Sequence, residues 1–243
     1  MPTLTQSIRD IVSNQSSAAA VLQRFDIDLC SRADESLKQA CAELQLSVDQ
    51  VLEKLSDAAA NEPGAEPADL ASYSMSRLIQ HIVRTHHQYV RCELPRLVEM
   101  AHKLTGKHGD RAPELKEVEI LLDALHTEMF AHLQKEEQVL FPFIAQMEEE
   151  TVGFAPSADA CFQTVAQPVS MMVREHESAE GLVLRLRTLT NEFTTPAWAC
   201  PTYIALYAGL GQLERDLLQH VHLEDSILFP RAIEMESALD QRR

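Results

Sequence analysis

A chain of 243 residues, 45% apolar and 24% charged, has the makeup of a globular protein with ample material for a core, which excludes extended disorder. Only 7 Gly and 11 Pro stand among abundant Leu, Ala, Glu, Gln and Met, which argues against a turn-rich all-β fold and for an all-α one. A formal charge of −16 repels phosphate backbones and anionic headgroups, so neither nucleic acid nor a membrane is expected as a partner. Residues 1–58 hold short helical patterns over 4–12, 17–25, 36–46 and 48–55, and Ser47 with Gln50 three residues on forms a capping box ahead of the last. Acidic residues outnumber basic ones even here, so this small helical domain lacks the basic face of a DNA reader. Pro63, Gly64 and Pro67, set among small and acidic residues, mark 59–69 as a linker.

Residues 70–243 read as four long helices. The first is expected over 70–104, with a bend near Pro95 and a stop at Thr105-Gly106. The second opens at Pro113 and runs to 149 with a disturbance at Pro142; the third covers 168–193. The fourth follows Thr194-Thr195-Pro196 and passes Pro230 toward the C-terminus. Four such helices with mostly short connections are most economically a four-helix bundle. The connection 151–167 is longer than a bundle turn requires, and reads as a lid or as a loose segment.

Two segments, HLQKEEQVLFP from His132 and HVHLEDSILFP from His220, share the frame H-x-x-x-E-[ED]-x-x-[VI]-L-F-P. Each sets a His and a Glu at i and i+4, one turn apart on one helix face, so both ligating atoms reach a common point. His87 and His176 precede the two copies at nearly equal distances, giving two helical hairpins of one plan. A lone HxxxE pair is usually a solvated contact. Two pairs in a repeated frame, each with a partner His, instead predict four His and two Glu converging inside the bundle, where unliganded they would be costly to bury. Zinc favours three or four ligands rich in Cys and His, whereas six mixed imidazole and carboxylate donors suit two first-row ions of higher coordination number. A di-iron centre is the natural assignment, with mixed iron/manganese or di-manganese occupancy left open. If Glu136 and Glu224 bridge both ions and two imidazoles go to each, every ion has four protein donors. An oxo or hydroxo bridge makes five, and one position stays open to a diatomic.

At these residues the sequence resembles the hemerythrin-like di-iron proteins and, more closely, the "repair of iron centers" family of the nitrosative-stress response. The resemblance covers nearly the whole chain: FDIDLC and ESLKQACAELQLSVDQVLEKL look like that family's N-terminal domain, and LHTEMFAHLQKEEQVLFP, REH and HVHLEDSILFPRA like its iron-binding bundle. It implies a hemerythrin-like four-helix bundle with His87, His132, Glu136, His176, His220 and Glu224 as iron ligands, the two Glu bridging. It also implies nitric oxide binding at the di-iron site and protection or restoration of damaged iron–sulfur clusters. The cage suits redox chemistry on nitric oxide as well as binding alone. Iron–sulfur client proteins are then expected as partners, and whether a homodimer forms stays open. One departure concerns the N-terminal domain, where the family's adjacent cysteines followed by two glycines are replaced by Cys30-Ser31-Arg32-Ala33. A role needing a vicinal thiol pair is not carried over. The alternatives are a hemerythrin-type oxygen or redox sensor or carrier signalling through its N-terminal domain, with dioxygen as ligand, and a metal-free acidic adaptor.

Glu128, one turn before His132, and Glu175, beside His176, are candidate carboxylates for orienting an imidazole. His81 and His126 either hydrogen-bond within the bundle or line an access path; His86 lies about 100° around the helix from His87, against the cage or at the surface. His102, His108 and His222 are expected at the surface, the repeated Leu-Phe-Pro in packing and helix bending, and Trp198 at a bundle end. Cys30, Cys41, Cys92, Cys161 and Cys200 are odd in number and never spaced as CxxC; Cys30 is the candidate reactive thiol. The start MPTLTQSIRD lacks a basic segment followed by an apolar run, and no stretch approaches the roughly 18 apolar residues of a membrane span, so a cytoplasmic location is expected.

Overall fold

The computed structural model describes residues 4–15, 18–25, 27, 29, 32, 34–60, 70–151 and 164–241. Cys30, Cys161, linker residues 61–69 and residues 152–163 of the long connection lie outside them, so the thiol, linker and lid expectations rest on the sequence alone. Among the described residues every regular element is helical, apart from one antiparallel bridge between Ser7 and Ser36. No helix among them is long and apolar enough to cross a membrane. The chain divides into two compact units.

The first unit comprises Met1–Gly64, Arg96–Ile120 and Leu186–Gln212. Its N-terminal part holds α1 (Ile8–Asn14), α2 (Ala18–Arg24), α3 (Leu37–Glu43) and α4 (Val48–Ala60). Helices this short are marginal alone, so tertiary packing and capping hold them. Ile8, Ile11, Leu22, Leu37, Val51 and Leu55 are buried together with Cys41, whose thiol pKa is pushed up by that burial. The bridge sets the two N-caps side by side: Ser7 Oγ accepts from the Asp10 amide at 3.1 Å and Ser36 Oγ from that of Gln39 at 3.3 Å. The reciprocal capping box is at Ser36 and Gln39, whose Oε1 accepts from the Ser36 amide at 3.0 Å. At Ser47 the serine half is made, at 3.4 Å from the Gln50 amide.

The same unit holds ends of the long helices. Helix α6 (Gln88–His108) runs through Pro95 and through Gly106, not stopping at Thr105-Gly106 as expected. The stop is Gly109, where a Cβ would lie 2.5 Å from the Thr105 carbonyl oxygen, so only glycine closes the helix this way. Helix α9 (Ala166–Leu189) ends four residues before the expected 193, because Asn191, Glu192 and Phe193 turn left-handed with φ of 48°, 57° and 58°. Thr190 Oγ1 accepts from the Phe193 amide at 3.1 Å and closes this turn. Trp198 packs edge-on to Tyr203 with Arg111 above its ring at 4.0 Å, a packing role at the start of α10 (Pro201–Leu223).

The second unit comprises Ala65–Pro95, Leu121–Arg185 and Leu213–Arg243. It contains α5 (Met75–Ile82), the start of α6, the end of α7 (Glu114–Lys135), α8 (Phe141–Thr151), most of α9, the end of α10, and α11 (Phe229–Asp240). Leu78, Ile82, Leu140, Phe141, Leu228 and Phe229 sit in its core. Three π-helical turns interrupt the helices, at Val83–His87, Glu136–Leu140 and Glu224–Leu228. Two of them end just before Pro142 and Pro230. A proline lacks the N–H for the carbonyl four residues back and its ring crowds that carbonyl, so the preceding turn widens. The expected disturbance at Pro142 thus falls on the turn that Glu136 opens.

Two carboxylates pin the entry of the hairpins. Glu148 in α8 accepts from the Met75 and Ser76 amides at 2.7 and 2.9 Å, at the start of α5. Glu236 in α11 accepts from the Val165 amide at 2.7 Å, just ahead of α9. Negative charge on free N-terminal amides is favourable, and these contacts hold the Glu148 carboxyl below its ordinary range although burial opposes them. Glu148→Ala is expected to lower stability by about 1–2 kcal/mol, read from urea unfolding. An unchanged midpoint would show the cap to be idle.

Candidate metal centre

Four imidazoles from four helical segments and two carboxylates from two π turns meet in the core of the second unit. His87, Glu136, His220 and Glu224 are fully buried, and His132 and His176 nearly so. All four rings aim Nε2 inward. His87 and His220 face each other at 3.2 Å between Nε2 atoms, and His132 and His176 at 3.0 Å. Glu136 Oε2 stands 3.4 Å from Nε2 of both His87 and His132. Glu224 reaches His220 at 3.0 Å and His87 at 3.7 Å through Oε1, and His176 at 3.1 Å through Oε2. The donors form two groups, His87/His220 and His132/His176, both sharing Glu136 and Glu224. Each group takes one histidine from each hairpin.

The outward nitrogens are held as firmly. His87 Nδ1 donates to Glu137 Oε1 at 2.7 Å, His132 Nδ1 to Glu175 Oε2 at 2.9 Å, and His176 Nδ1 to Asp225 Oδ1 at 2.9 Å. An ionised carboxylate only accepts, so the Nδ1 atoms carry the protons and a neutral ring presents its Nε2 lone pair to the centre. Arg91 and Lys135 pair with Glu137 and Glu175 in turn. Phe141 lies against the His87 ring and Phe229 is parallel to that of His176.

Burial alone would lower the pKa of His87, but Glu136 and Glu224 outweigh it and push it up to about 10. For His176, burial is likewise overridden, by Asp225 and Glu224, again to about 10. Burial opposes ionisation of Glu224 as well, yet the charge of His220 and contacts with the neighbouring imidazoles hold its carboxyl well below the usual range. Both oxygens of Glu136 are buried without a hydrogen bond among the described residues. A charged group in that position needs a compensating cation. Nitrogen and oxygen donors with no thiolate suit a first-row ion of intermediate hardness.

Residues 78–232 match the family described as Hemerythrin HHE cation binding domain, and residues 4–59 match a domain of unknown function, DUF542. Similar proteins align with nearly the whole chain. The "Iron-sulfur cluster repair protein YtfE" of Enterobacter sp. (strain 638) is 32% identical over 229 residues, covering 94% of this chain and 96% of the relative. Proteins of the same name from Escherichia coli O81 (strain ED1a) and Escherichia fergusonii are 33% identical with the same coverage. The chain belongs to the repair of iron centers family.

In this repair of iron centers chain the structure brings all six expected residues together and sorts the others. Glu175 orients His132. Glu128 does not reach an imidazole: it is exposed and accepts from Ser178 Oγ at 2.9 Å. His126 packs on Phe130, and His81 has Thr85 Oγ1 3.5 Å from its Nδ1. His222 is exposed, His102 is exposed and paired with Glu119, and His108 is half-buried near Trp198. His86 is not at the surface but buried, paired with Asp216. Glu137 and Asp225 were missed as imidazole partners, although the acidic residue after each Glu is part of the repeated frame. Glu137→Gln or Asp225→Asn is expected to weaken metal binding about 10- to 100-fold in a chelator competition, because the imidazole loses the partner that fixes it and raises its basicity. Unchanged affinity would reduce these contacts to surface pairing.

Proposed function

We propose that this protein acts in the nitrosative and oxidative stress response, holding two iron ions, binding nitric oxide beside them, and either scavenging it or supporting repair of damaged iron–sulfur clusters. The observation that carries this reading is the end-to-end similarity, both domains included, to proteins named for iron–sulfur cluster repair. The convergence of four Nε2 atoms and two carboxylates supports its chemical half. His87 and His220 would hold one iron, His132 and His176 the other, and Glu136 and Glu224 both, with an oxo or hydroxo bridge as the solvent-derived ligand. When bound, the iron pair supplies an open coordination position for a diatomic and electrons for its redox chemistry. The chain's own residues do the rest. Glu137, Glu175 and Asp225 keep the Nδ1 protons in place, and Phe141 and Phe229 keep water from two of the rings. Arg91 and Lys135 balance the charge of the outer carboxylates toward solvent.

The experiment is metal analysis followed by optical and EPR titration of the anaerobically reduced protein with nitric oxide, and an assay of recovery of a nitric-oxide-damaged iron–sulfur enzyme in a cytoplasmic extract. Two irons per chain, a saturable nitric oxide response and faster recovery are expected. Iron indifferent to nitric oxide, with no effect on recovery, would overturn the reading.

A further inference from the structure

The two hairpins match closely around the cage but differ beside one imidazole. His87 and His176 are counterparts: each donates to the acidic residue that follows a bridging-position Glu, Glu137 or Asp225, and each has the phenylalanine of its own Leu-Phe-Pro against its ring. His132 and His220 are counterparts too, yet they are held differently. His132 donates from Nδ1 to Glu175, the residue before His176. The residue before His87 is a histidine, His86, and Nδ1 of His220 is buried without a hydrogen bond among the described residues.

His86 meets His220 by its face. The rings lie 5.6 Å apart between centroids and within 8° of parallel, and His86 Nδ1 donates to Asp216 Oδ1 at 2.9 Å. Asp216 precedes His220 by one helical turn, so it stands on the same side of α10. Its counterpart in the first hairpin is Glu128, which is exposed and bound to a serine, whereas Asp216 is 3% and His86 1% exposed. The two places where the repeat changes character are therefore in contact with each other, and one of them, His86, with the one imidazole of the cage whose Nδ1 has no carboxylate among the described residues. The π turn Val83–His87 has no proline just beyond it, unlike the other two, and it is the turn in which two successive histidines are both buried.

We propose that His86 and Asp216 are the positioning pair of His220, holding it by ring stacking where carboxylates hold the other three imidazoles, and that the His87/His220 position binds its ion more weakly than the His132/His176 position. A carboxylate on Nδ1 both orients a ring and raises its basicity. A stacked ring supplies orientation alone. The inference rests on the two-ion reading above and adds an order to it: the ion between His87 and His220 is the first to exchange.

The test loads the full chain with ferrous iron without oxygen and follows its transfer to excess ferrous chelator by absorbance. Wild-type protein is expected to release iron in two equal phases about tenfold or more apart in rate. His86→Ala should speed the fast phase about tenfold and leave the slow phase unchanged, while Glu175→Gln speeds the slow phase. The double variant His86→Glu with Asp216→Leu supplies the missing carboxylate and should slow the fast phase, a gain that a merely structural role would not produce. Should His86→Ala fail to fold by circular dichroism, His86→Phe with Asp216→Leu keeps a flat ring without a buried unpaired charge; its fast phase should stay within about twofold of wild type. A single wild-type phase, equal acceleration of both phases in His86→Ala, or a fast phase indifferent to these changes would overturn the positioning role while leaving the two-iron reading intact. Uptake of fewer than two irons by the wild-type chain would overturn both.

Discussion

Glu136→Ala and Glu224→Ala are each expected to strip the protein of both irons, measured as metal per chain after purification with iron present, while circular dichroism keeps its helical amplitude. Each carboxylate belongs to both donor groups, so one substitution removes a donor from both positions at once. A histidine variant removes a donor from one group and should leave partial occupancy. The fold survives because the core of the second unit is built from residues such as Leu78, Ile82, Leu140 and Phe229, independent of the carboxylates. Full iron occupancy in either glutamate variant would end the assignment of the cage as a metal centre.

Metal-free protein is expected to lose stability as pH rises from 6.5 toward 10, and iron-loaded protein is not. His87 and His176 have pKa values raised from 6.5 to about 10 in the fold, so the stability they contribute is fully present below 6.5 and is lost as pH climbs through about 10. The buried carboxylate of Glu224 would then be left facing neutral imidazoles. On the acid side the sign reverses. Glu137, Glu175 and Glu224 are held below 4.5, so their contribution is present above that value and fades as pH falls through their lowered values. Maximum stability of the metal-free chain should therefore lie between 4.5 and 6.5, with a fall on the basic side. Urea midpoints taken across this range read the effect directly. A midpoint that stays level up to pH 10 would show that the imidazoles carry no such linkage. In the loaded protein, iron takes the place of the imidazole protons, which removes the basic-side slope and makes iron uptake release protons.

The cage was legible in the sequence because its chemistry follows helical periodicity: His and Glu at i and i+4 fall on one face, and the frame occurs twice. What escaped was local geometry that departs from that period. On a regular helix Glu137, Asp225 and His86 stand about 100° from their ligating neighbours, so the two acids drew no role and His86 was left between the cage and the surface. All three lie in π turns, where the wider backbone lets adjacent residues both serve the site. Helix ends were misplaced for a related reason. Gly106 and Gly109 look alike in sequence, and only the approach of the Thr105 carbonyl tells which one stops α6. Glu148 and Glu236 lie past the repeated frame, and their hold on the α5 and α9 entries depends on which chain ends the fold brings to them.

The crossed pairing of histidines, His87 with His220 and His132 with His176, means that neither hairpin owns a complete ion position. A gene for one hairpin would encode half a cage and would have to find its other half by collision with a second copy. Carrying both hairpins in one polypeptide replaces that encounter with an effective concentration in the millimolar range, independent of how many molecules a cell makes. Capacity for metal then scales linearly with protein abundance, where a cage assembled from separate halves would fall off with the square at low expression. A chain cut between its hairpins should thus hold iron at high protein concentration and release it on dilution.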